Sequence, residues 1–337
     1  MIDYRSDTVT KPGQGMLQAM NAAQVGDDVF GEDPTVNELE KLSAAYFGME
    51  SGIYCPSGTM TNQIAIKCHT HPGDEVVCDT SSHVYQYEGG GIAFNSGASV
   101  KLLNGDNGRI NAAQVENAIN ADDVHKAKTS LVCLENTSNR GGGSCYQLSE
   151  LYKIKEVCNQ RDLKLHLDGA RLFNALVAKN DDPLEYGKIF HSISICLSKS
   201  LGCPVGSLLL GTKDDIKKAR RIRKAFGGGM RQAGFIAAAG IYALENNISR
   251  LKEDHGHAKQ IADSLRKKDF VQDILPVETN IIIFSISKTY TPKTLVALLK
   301  EKGILGYAIS PTQVRLVTHL DITPEMIDKT IQTIEQL

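Results

Sequence analysis

The feature that most constrains this chain is a repeated alternation: short runs of β-branched or apolar residues, each long enough for one strand, separated by longer stretches with helical spacing. The clearest strand runs are Glu75 to Cys78, Ser130 to Leu134, Leu163 to Leu167, Ser192 to Leu197 and Ser207 to Leu210. Between them, Leu148 to Gln160 places apolar side chains at 148, 151, 154 and 157 or 158, which is one buried face of a helix, and Asp214 to Phe226 reads as a second, strongly basic helix. Strand and helix alternating at this interval predict an α/β fold with a mostly parallel central sheet flanked by helices. In such sheets ligands bind beyond the C-terminal ends of the strands.

The texture changes after the apolar segment Gln232 to Leu244. Polar helical sequence covers Asn247 to Lys268, followed by a strand at Asn280 to Ile286, a helix at Pro292 to Lys302, a strand at Val314 to Val317 and a helix from Pro324. This predicts a large domain over residues 1–245 and a smaller C-terminal α+β domain over 246–337. A chain of 337 residues, 42% apolar and 23% charged, has the composition of a folded globular protein rather than a disordered or fibrous one. Its 37 basic and 39 acidic residues leave a net charge of -2, which argues against nucleic acid as a partner. The longest uncharged stretch, Ser51 to Ile66, holds Pro56, Asn62 and Gln63 and cannot span a bilayer. No basic patch followed by an apolar run is visible at the N-terminus, so a cytoplasmic location is expected. The eight cysteines form no C-x-x-C pair and read as reduced, mostly buried thiols.

Two strand runs stop at a charged residue: Leu163-Lys-Leu-His-Leu-Asp168 and Ser192-Ile-Ser-Ile-Cys-Leu-Ser198-Lys199. A lysine after a strand is by itself usually a solvated end. Asp168 and Lys199 are 31 residues apart, however, an interval that fits one helix and one strand, so both can project from one edge of the sheet into one cleft. A lysine that condenses with an aldehyde and an aspartate that keeps a pyridine nitrogen protonated are the two contacts that pyridoxal 5'-phosphate chemistry demands. The run Cys55-Pro56-Ser57-Gly58-Thr59 opens an apolar helix and offers a phosphate site. His83, after Ser81-Ser82, is a candidate for the ring that covers the cofactor.

These motifs, with Arg5-Ser6-Asp7-Thr8-Val9-Thr10, Gly26-Asp-Asp-Val-Phe-Gly-Glu-Asp-Pro34, Leu167-Asp-Gly-Ala-Arg171, Gly227-Gly-Gly-Met-Arg-Gln-Ala233 and Val314-Arg-Leu-Val-Thr-His-Leu-Asp321, resemble the low-specificity L-threonine aldolases from Tyr4 to the C-terminal helix. That family consists of lyases of pyridoxal-phosphate fold type I. The resemblance implies retro-aldol cleavage of L-threonine, L-allo-threonine and other β-hydroxy-α-amino acids to glycine and an aldehyde. It makes Lys199 the Schiff-base lysine, Asp168 the partner of the pyridine nitrogen and His83 the stacked ring. Gly58 and Thr59 would bind the phosphate, and Ser6, Arg171 and Arg315 the substrate carboxylate. Arg231 and Lys224 would reach a phosphate or active site across a subunit interface, in a homotetramer whose active sites lie between subunits. His125 matches a position near the substrate hydroxyl, and the base is His83, His125 or a water between them. No residue is assigned to a metal.

The chain departs from the family pattern at Phe30, Ser138, Ser200 and Cys203, where tyrosine, histidine, glycine and alanine are common. These changes leave the cofactor contacts in place and bear on how the β-substituent is held. The rival reactions of the same fold type are β-elimination, racemisation and transamination, which share the lysine, aspartate and phosphate site. A subunit without catalysis is disfavoured by the joint presence of Lys199, Asp168 and His83. No G-x-S-x-G, H-E-x-x-H, P-loop or G-x-G-x-x-G motif supports a hydrolase or nucleotide reading. The segment Phe235 to Leu244 packs either inside the domain or between subunits.

Overall fold

The computed structural model describes residues 1–287 and 289–337. After a two-residue strand, β1 (Ile2–Asp3), seven strands build one sheet: β2 (Ser51–Cys55), β3 (Glu75–Asp79), β4 (Ser99–Leu103), β5 (Thr129–Glu135), β6 (Lys164–Gly169), β7 (Ser192–Cys196) and β8 (Ser207–Gly211). Their order is β2-β8-β7-β6-β5-β3-β4. All neighbouring pairs are parallel except those of β8, which runs antiparallel to both β7 and β2. The strands in the middle of this sheet are covered on both faces. Every residue of β5, β7 and β8 is buried, which is why β5 and β8 are continuously apolar through their middles, whereas β7 alternates serine with isoleucine and ties its buried Ser192 and Ser194 hydroxyls to His166 and Thr61.

The reversed strand matters for the site. Helical crossovers link β3 through β7, whereas β7 returns to β8 through the short connection Leu197 to Gly206, closed by the Leu197 N–H donating to the Gly206 carbonyl (3.0 Å). Gly206 takes φ of +118°, and a Cβ there would lie 2.3 Å from the Tyr54 hydroxyl, so both backbone angle and space require glycine. Lys199 sits in this return, just past the end of β7.

A second sheet, ordered β12-β13-β10-β9, comprises β9 (Val271–Ile274), β10 (Ile281–Ile286), β12 (Tyr307–Ala308) and β13 (Gln313–Val317), all antiparallel. The short β11 (Ile304–Leu305) pairs in parallel with β1. Helices Leu251–Leu265, Pro292–Glu301 and Pro324–Glu335 accompany this sheet. The last two start as their sequences demand, with Thr291 and Thr323 as N-caps followed directly by proline. Ile2 and Tyr4 are buried in the core of these C-terminal elements, and the Tyr4 hydroxyl shares a hydrogen bond with Thr330 (2.9 Å). We therefore propose to keep the domain division at residue 245 with one amendment, that the first four residues belong with the C-terminal unit. The chain then passes from that unit straight into Arg5 to Thr10, across the C-terminal edge of the large sheet. Among the described residues, no helix is long and apolar enough to cross a membrane.

Candidate active site

Asp168 and Glu135 are register partners at the ends of β6 and β5, so their side chains leave the same face of the sheet side by side. Both are buried. Asp168 accepts from the Asn62 side-chain amide (2.9 Å) and from the Ala170 N–H (3.1 Å). Glu135 accepts from the N–H groups of His83 (2.8 Å) and Asn139 (2.9 Å). Burial, reinforced by the Asp168 charge, pushes the Glu135 carboxyl up to about 7.

His83 stands above this acidic floor. Its Nδ1 meets the buried Glu88 carboxylate at 2.9 Å, and the same Glu88 oxygen accepts from Asn62 (2.8 Å). The functional atoms of His83, Glu88 and Asp168 all lie within 4.8 Å of one another. Burial opposes a charged imidazole, but the Glu88 hydrogen bond and the charges of Asp168, Glu88 and Glu135 outweigh it and raise the His83 pKa. Fixing Nδ1 on Glu88 leaves Nε2 as the ring nitrogen free to meet a ligand.

Gly58 and Thr59 open the helix Gly58–His69, whose N-cap Ser57 accepts from the Met60 N–H (3.2 Å). Thr61 pins this helix to β7 through the Ser194 hydroxyl (2.6 Å). Ser207, register partner of Cys55, is close enough that a Cβ on Gly58 would contact its hydroxyl at 3.5 Å. That hydroxyl is fully buried and has no partner among the described residues. A helix N-terminus beside an orphan hydroxyl is a place for an anion. With Lys199 just past the end of β7, Asp168 near the end of the neighbouring β6 and His83 beside Asp168, the residues present fit pyridoxal phosphate in their chemistry.

The cleft above has a volume of about 530 Å³ and is lined by Ser6, His83, Tyr87, Arg140, Tyr307 and Arg315 among others. Ser6 and Arg315, which the resemblance assigns to the substrate carboxylate, both line it. Arg315 donates to the Asn139 side chain (2.9 Å) and to the Arg5 carbonyl (3.0 Å), while its Nε is buried without a partner. Burial, followed by the nearby charge of Arg171, lowers the Arg315 pKa to about 10.

Arg171 differs from expectation. It does not line the cleft: it is buried, and its Nε and Nη2 both donate to Asp7 at 2.7 Å. Burial alone would raise the Asp7 pKa, but Arg171, then Lys199, reverse this and hold the carboxyl well below the usual range. Asp7 also accepts from Ser200 (2.9 Å), and the Thr10 hydroxyl donates to the Lys199 carbonyl (3.0 Å). The pair thus fastens the segment Ser6 to Thr10 against Lys199.

His125 also departs from expectation: this chain does not bring it to the cleft. Its side chain is 86% exposed and faces Asp123 (2.8 Å) on the loop that enters β5. The parallel polarity of β5 and β6 puts that loop at the opposite edge of the sheet from Asp168. Lys224 and Arg231 lie away from the cleft of their own chain too. Lys224 lines a separate hollow with Asp28, Phe30 and Arg223, and Arg231 pairs with Asp27 (2.9 Å).

Fold and site together define an α/β enzyme of the pyridoxal-phosphate fold type I class, and the comparisons with known proteins agree. Residues 3–289 match the family model described as beta-eliminating lyase. The chain is 44% identical to the low specificity L-threonine aldolase of Escherichia coli K12 over 97% of its length and 96% of that protein's. It is 39% identical to that of Saccharomyces cerevisiae, covering 97% and 84%. A threonine aldolase from Leishmania major superposes with a TM-score of 0.87 at 21% identity, covering 100% of this chain and 99% of that one. A putative L-allo-threonine aldolase from Listeria monocytogenes superposes at 0.81 and 21%, covering 99% and 96%. The chain belongs to the beta-eliminating lyase family and, within it, to the low-specificity L-threonine aldolases.

Asn62, Glu88, Glu135, Ser207 and Arg140 escaped the sequence reading. Glu135 carried the signal that revealed Asp168, an apolar run ending in a carboxylate. The others had none: Glu88 looks like a solvated charge, and Arg140 stands in an irregular loop.

Proposed function

We propose that the chain is a pyridoxal phosphate-dependent lyase that cleaves L-threonine, L-allo-threonine and related β-hydroxy-α-amino acids to glycine and an aldehyde. The observation that carries this reading is that Lys199, three residues past the end of β7, and Asp168, near the end of the neighbouring β6, stand at one edge of the sheet, with Asp168 within 4.8 Å of the functional atom of His83, which lines the same cleft as Arg315. Lys199 would hold the cofactor covalently, Asp168 its ring nitrogen, and Gly58, Thr59 and Ser207 its phosphate, with His83 over the ring. When bound, pyridoxal phosphate supplies the electron sink for the pair released as the Cα–Cβ bond breaks. Arg315 and Ser6 receive the α-carboxylate, a task that suits the planar guanidinium fork. Arg171 acts through Asp7, holding Ser6 in place. Neutral His83, its Nδ1 fixed by Glu88, accepts the β-hydroxyl proton at Nε2.

The displacement of Lys224 and Arg231 from their own cleft supports a homotetramer whose active sites lie between subunits, and any role of His125 in the reaction likewise requires a second subunit. Eight free, buried cysteines support a cytoplasmic location. Light scattering should give the mass of four chains. Acetaldehyde and glycine should appear in equal amounts from L-threonine and L-allo-threonine, and Lys199→Ala should abolish both. Pyruvate and ammonia from serine, with no aldehyde from threonine, would replace this reading with β-elimination.

A further inference from the structure

The cleft holds more positive charge than one α-carboxylate needs. Of the arginines in or under it, Arg171 is neutralised by Asp7 and Arg5 by Asp3 (2.6 Å). Arg315 and Arg140 make no salt bridge among the described residues, although both line the cleft. Arg315 accounts for the α-carboxylate.

Arg140 remains, half-buried and held on three sides. Its Nε donates to the Tyr87 hydroxyl (2.5 Å), its Nη1 to the Ile309 carbonyl (3.2 Å), and its guanidinium carbon lies 5.1 Å from the centre of the Tyr87 ring. Ordering a long arginine side chain costs rotamer freedom. Those contacts consume two of its five N–H donors and none of its charge. The Arg140 charge also contributes to lowering the Arg315 pKa, after burial and Arg171 and against the opposing charge of Asp7, so the two guanidinium groups share one field.

The position of Arg140 says which part of a substrate it meets. It stacks on Tyr87, whose ring centre is 5.7 Å from that of His83. The order His83, Tyr87, Arg140 therefore leads outward from the group assigned to the β-hydroxyl, along the path the aldehyde portion must take. We propose that the cleft takes β-hydroxy-α-amino acids bearing a second carboxylate on the aldehyde side, with Arg140, backed by Tyr87, as the group that receives it. This rests on the lyase reading above and adds the substrate class. For 3-hydroxyaspartate the Cα–Cβ bond breaks, the β-hydroxyl proton passes to the base, Cβ becomes the aldehyde carbon of glyoxylate and Cα gains a proton to give glycine. No oxidant or co-reactant is required. The one-carbon-longer 3-hydroxyglutamate gives 3-oxopropanoate by the same steps.

The test compares kcat/KM of the holoenzyme for L-threonine, 3-hydroxyaspartate and 3-hydroxyglutamate, in the wild type and in Arg140→Gln and Arg140→Lys. A charge-assisted hydrogen bond of about 1.5–3 kcal/mol corresponds to roughly 10–150-fold. The ratio of diacid to threonine kcat/KM should therefore fall by about that factor in Arg140→Gln, mostly through KM, with partial recovery in Arg140→Lys. If the wild type cleaves threonine but releases neither glyoxylate nor 3-oxopropanoate, or if the ratio is the same in Arg140→Gln, the proposal is overturned. Calorimetry with two non-reacting acids supplies a reading independent of the chemistry. The holoenzyme should bind succinate at least about tenfold more tightly than butyrate, and Arg140→Gln should lose that preference. Equal binding of the two acids overturns the subsite; a succinate preference without aldehyde from any substrate upholds the subsite and overturns the aldolase reading instead.

Discussion

The floor and the roof of the cleft are built on opposite plans. The floor is acidic, buried and saturated with hydrogen bonds: Asp168, Glu135 and Glu88 share Asn62, His83 and backbone N–H groups within a few ångströms. The roof is basic and left open, with Arg315 and Arg140 held by neutral oxygens and in no salt bridge among the described residues. A floor fixed in this way can position a cofactor and tune an imidazole without rearranging during the reaction. A roof with spare donors is completed by whatever anion enters. The difference also follows the topology. The floor comes from strand ends of one rigid sheet, while the roof draws on the N-terminal segment, a loop after β5 and the edge of the small sheet.

Substitutions at four positions test that contrast, beginning with the largest effect. Lys199→Ala should cost at least about 10³-fold in aldehyde release, because it removes the group proposed to carry the cofactor covalently. Absorbance should show at the same time whether the rest of the floor still retains cofactor. Arg315→Ala should lower kcat/KM for L-threonine by about 10–100-fold, expressed mainly as a rise in KM, with Arg315→Lys intermediate because it restores charge without the fork. A loss in kcat alone would place Arg315 with the floor rather than the roof.

The third acts on the floor through pH. Glu88 raises the His83 pKa against the effect of burial, so Glu88→Gln should let His83 deprotonate at lower pH. Since the proposed base is neutral imidazole, the acid limb of kcat/KM should move to lower pH, with roughly a tenfold loss in kcat from weaker orientation. An acid limb that stays in place would remove His83 as the titrating base.

Legibility divides along the same line. The helix predicted at Leu148 to Gln160 is found with those bounds, and the strand runs that end at Cys78, Leu134 and Leu167 each extend one or two residues further, to Asp79, Glu135 and Gly169. Periodicity and the break from apolar to charged sequence mark strand ends, so Asp168 and Lys199 could be found by reading. Partners that meet across 25 to 106 residues, such as Glu88 with Gln63 and Asn62 with Asp168, leave no local trace. The reversal of β8 was also hidden, because strand direction is set by a short turn rather than by the strand's composition. His125 is a different case: the resemblance attaches it to the substrate, and its place just before a parallel strand puts it at the far edge of its own chain's sheet, so such a role would need a second subunit.

The smallest effect is expected at Arg5, and it is the sharpest check on what makes the roof basic. Arg5 lines the same cleft as Arg140 and Arg315, so proximity alone would give it equal weight in recognising an anion. It is instead exposed and already bound to Asp3 by both Nε (2.9 Å) and Nη2 (2.6 Å). Water screens such a pair, and a substrate gains little from a cation whose charge is spent on a neighbour. Its carbonyl, not its side chain, meets Arg315, and a side-chain substitution leaves that contact standing. Arg5→Ala should therefore change kcat/KM for L-threonine by less than about threefold, and raising the salt concentration should change it no further. A loss as large as that of Arg315→Ala would mean that the roof attracts anions by total charge. A small one would mean that it does so through the two guanidinium groups the fold has left without a carboxylate.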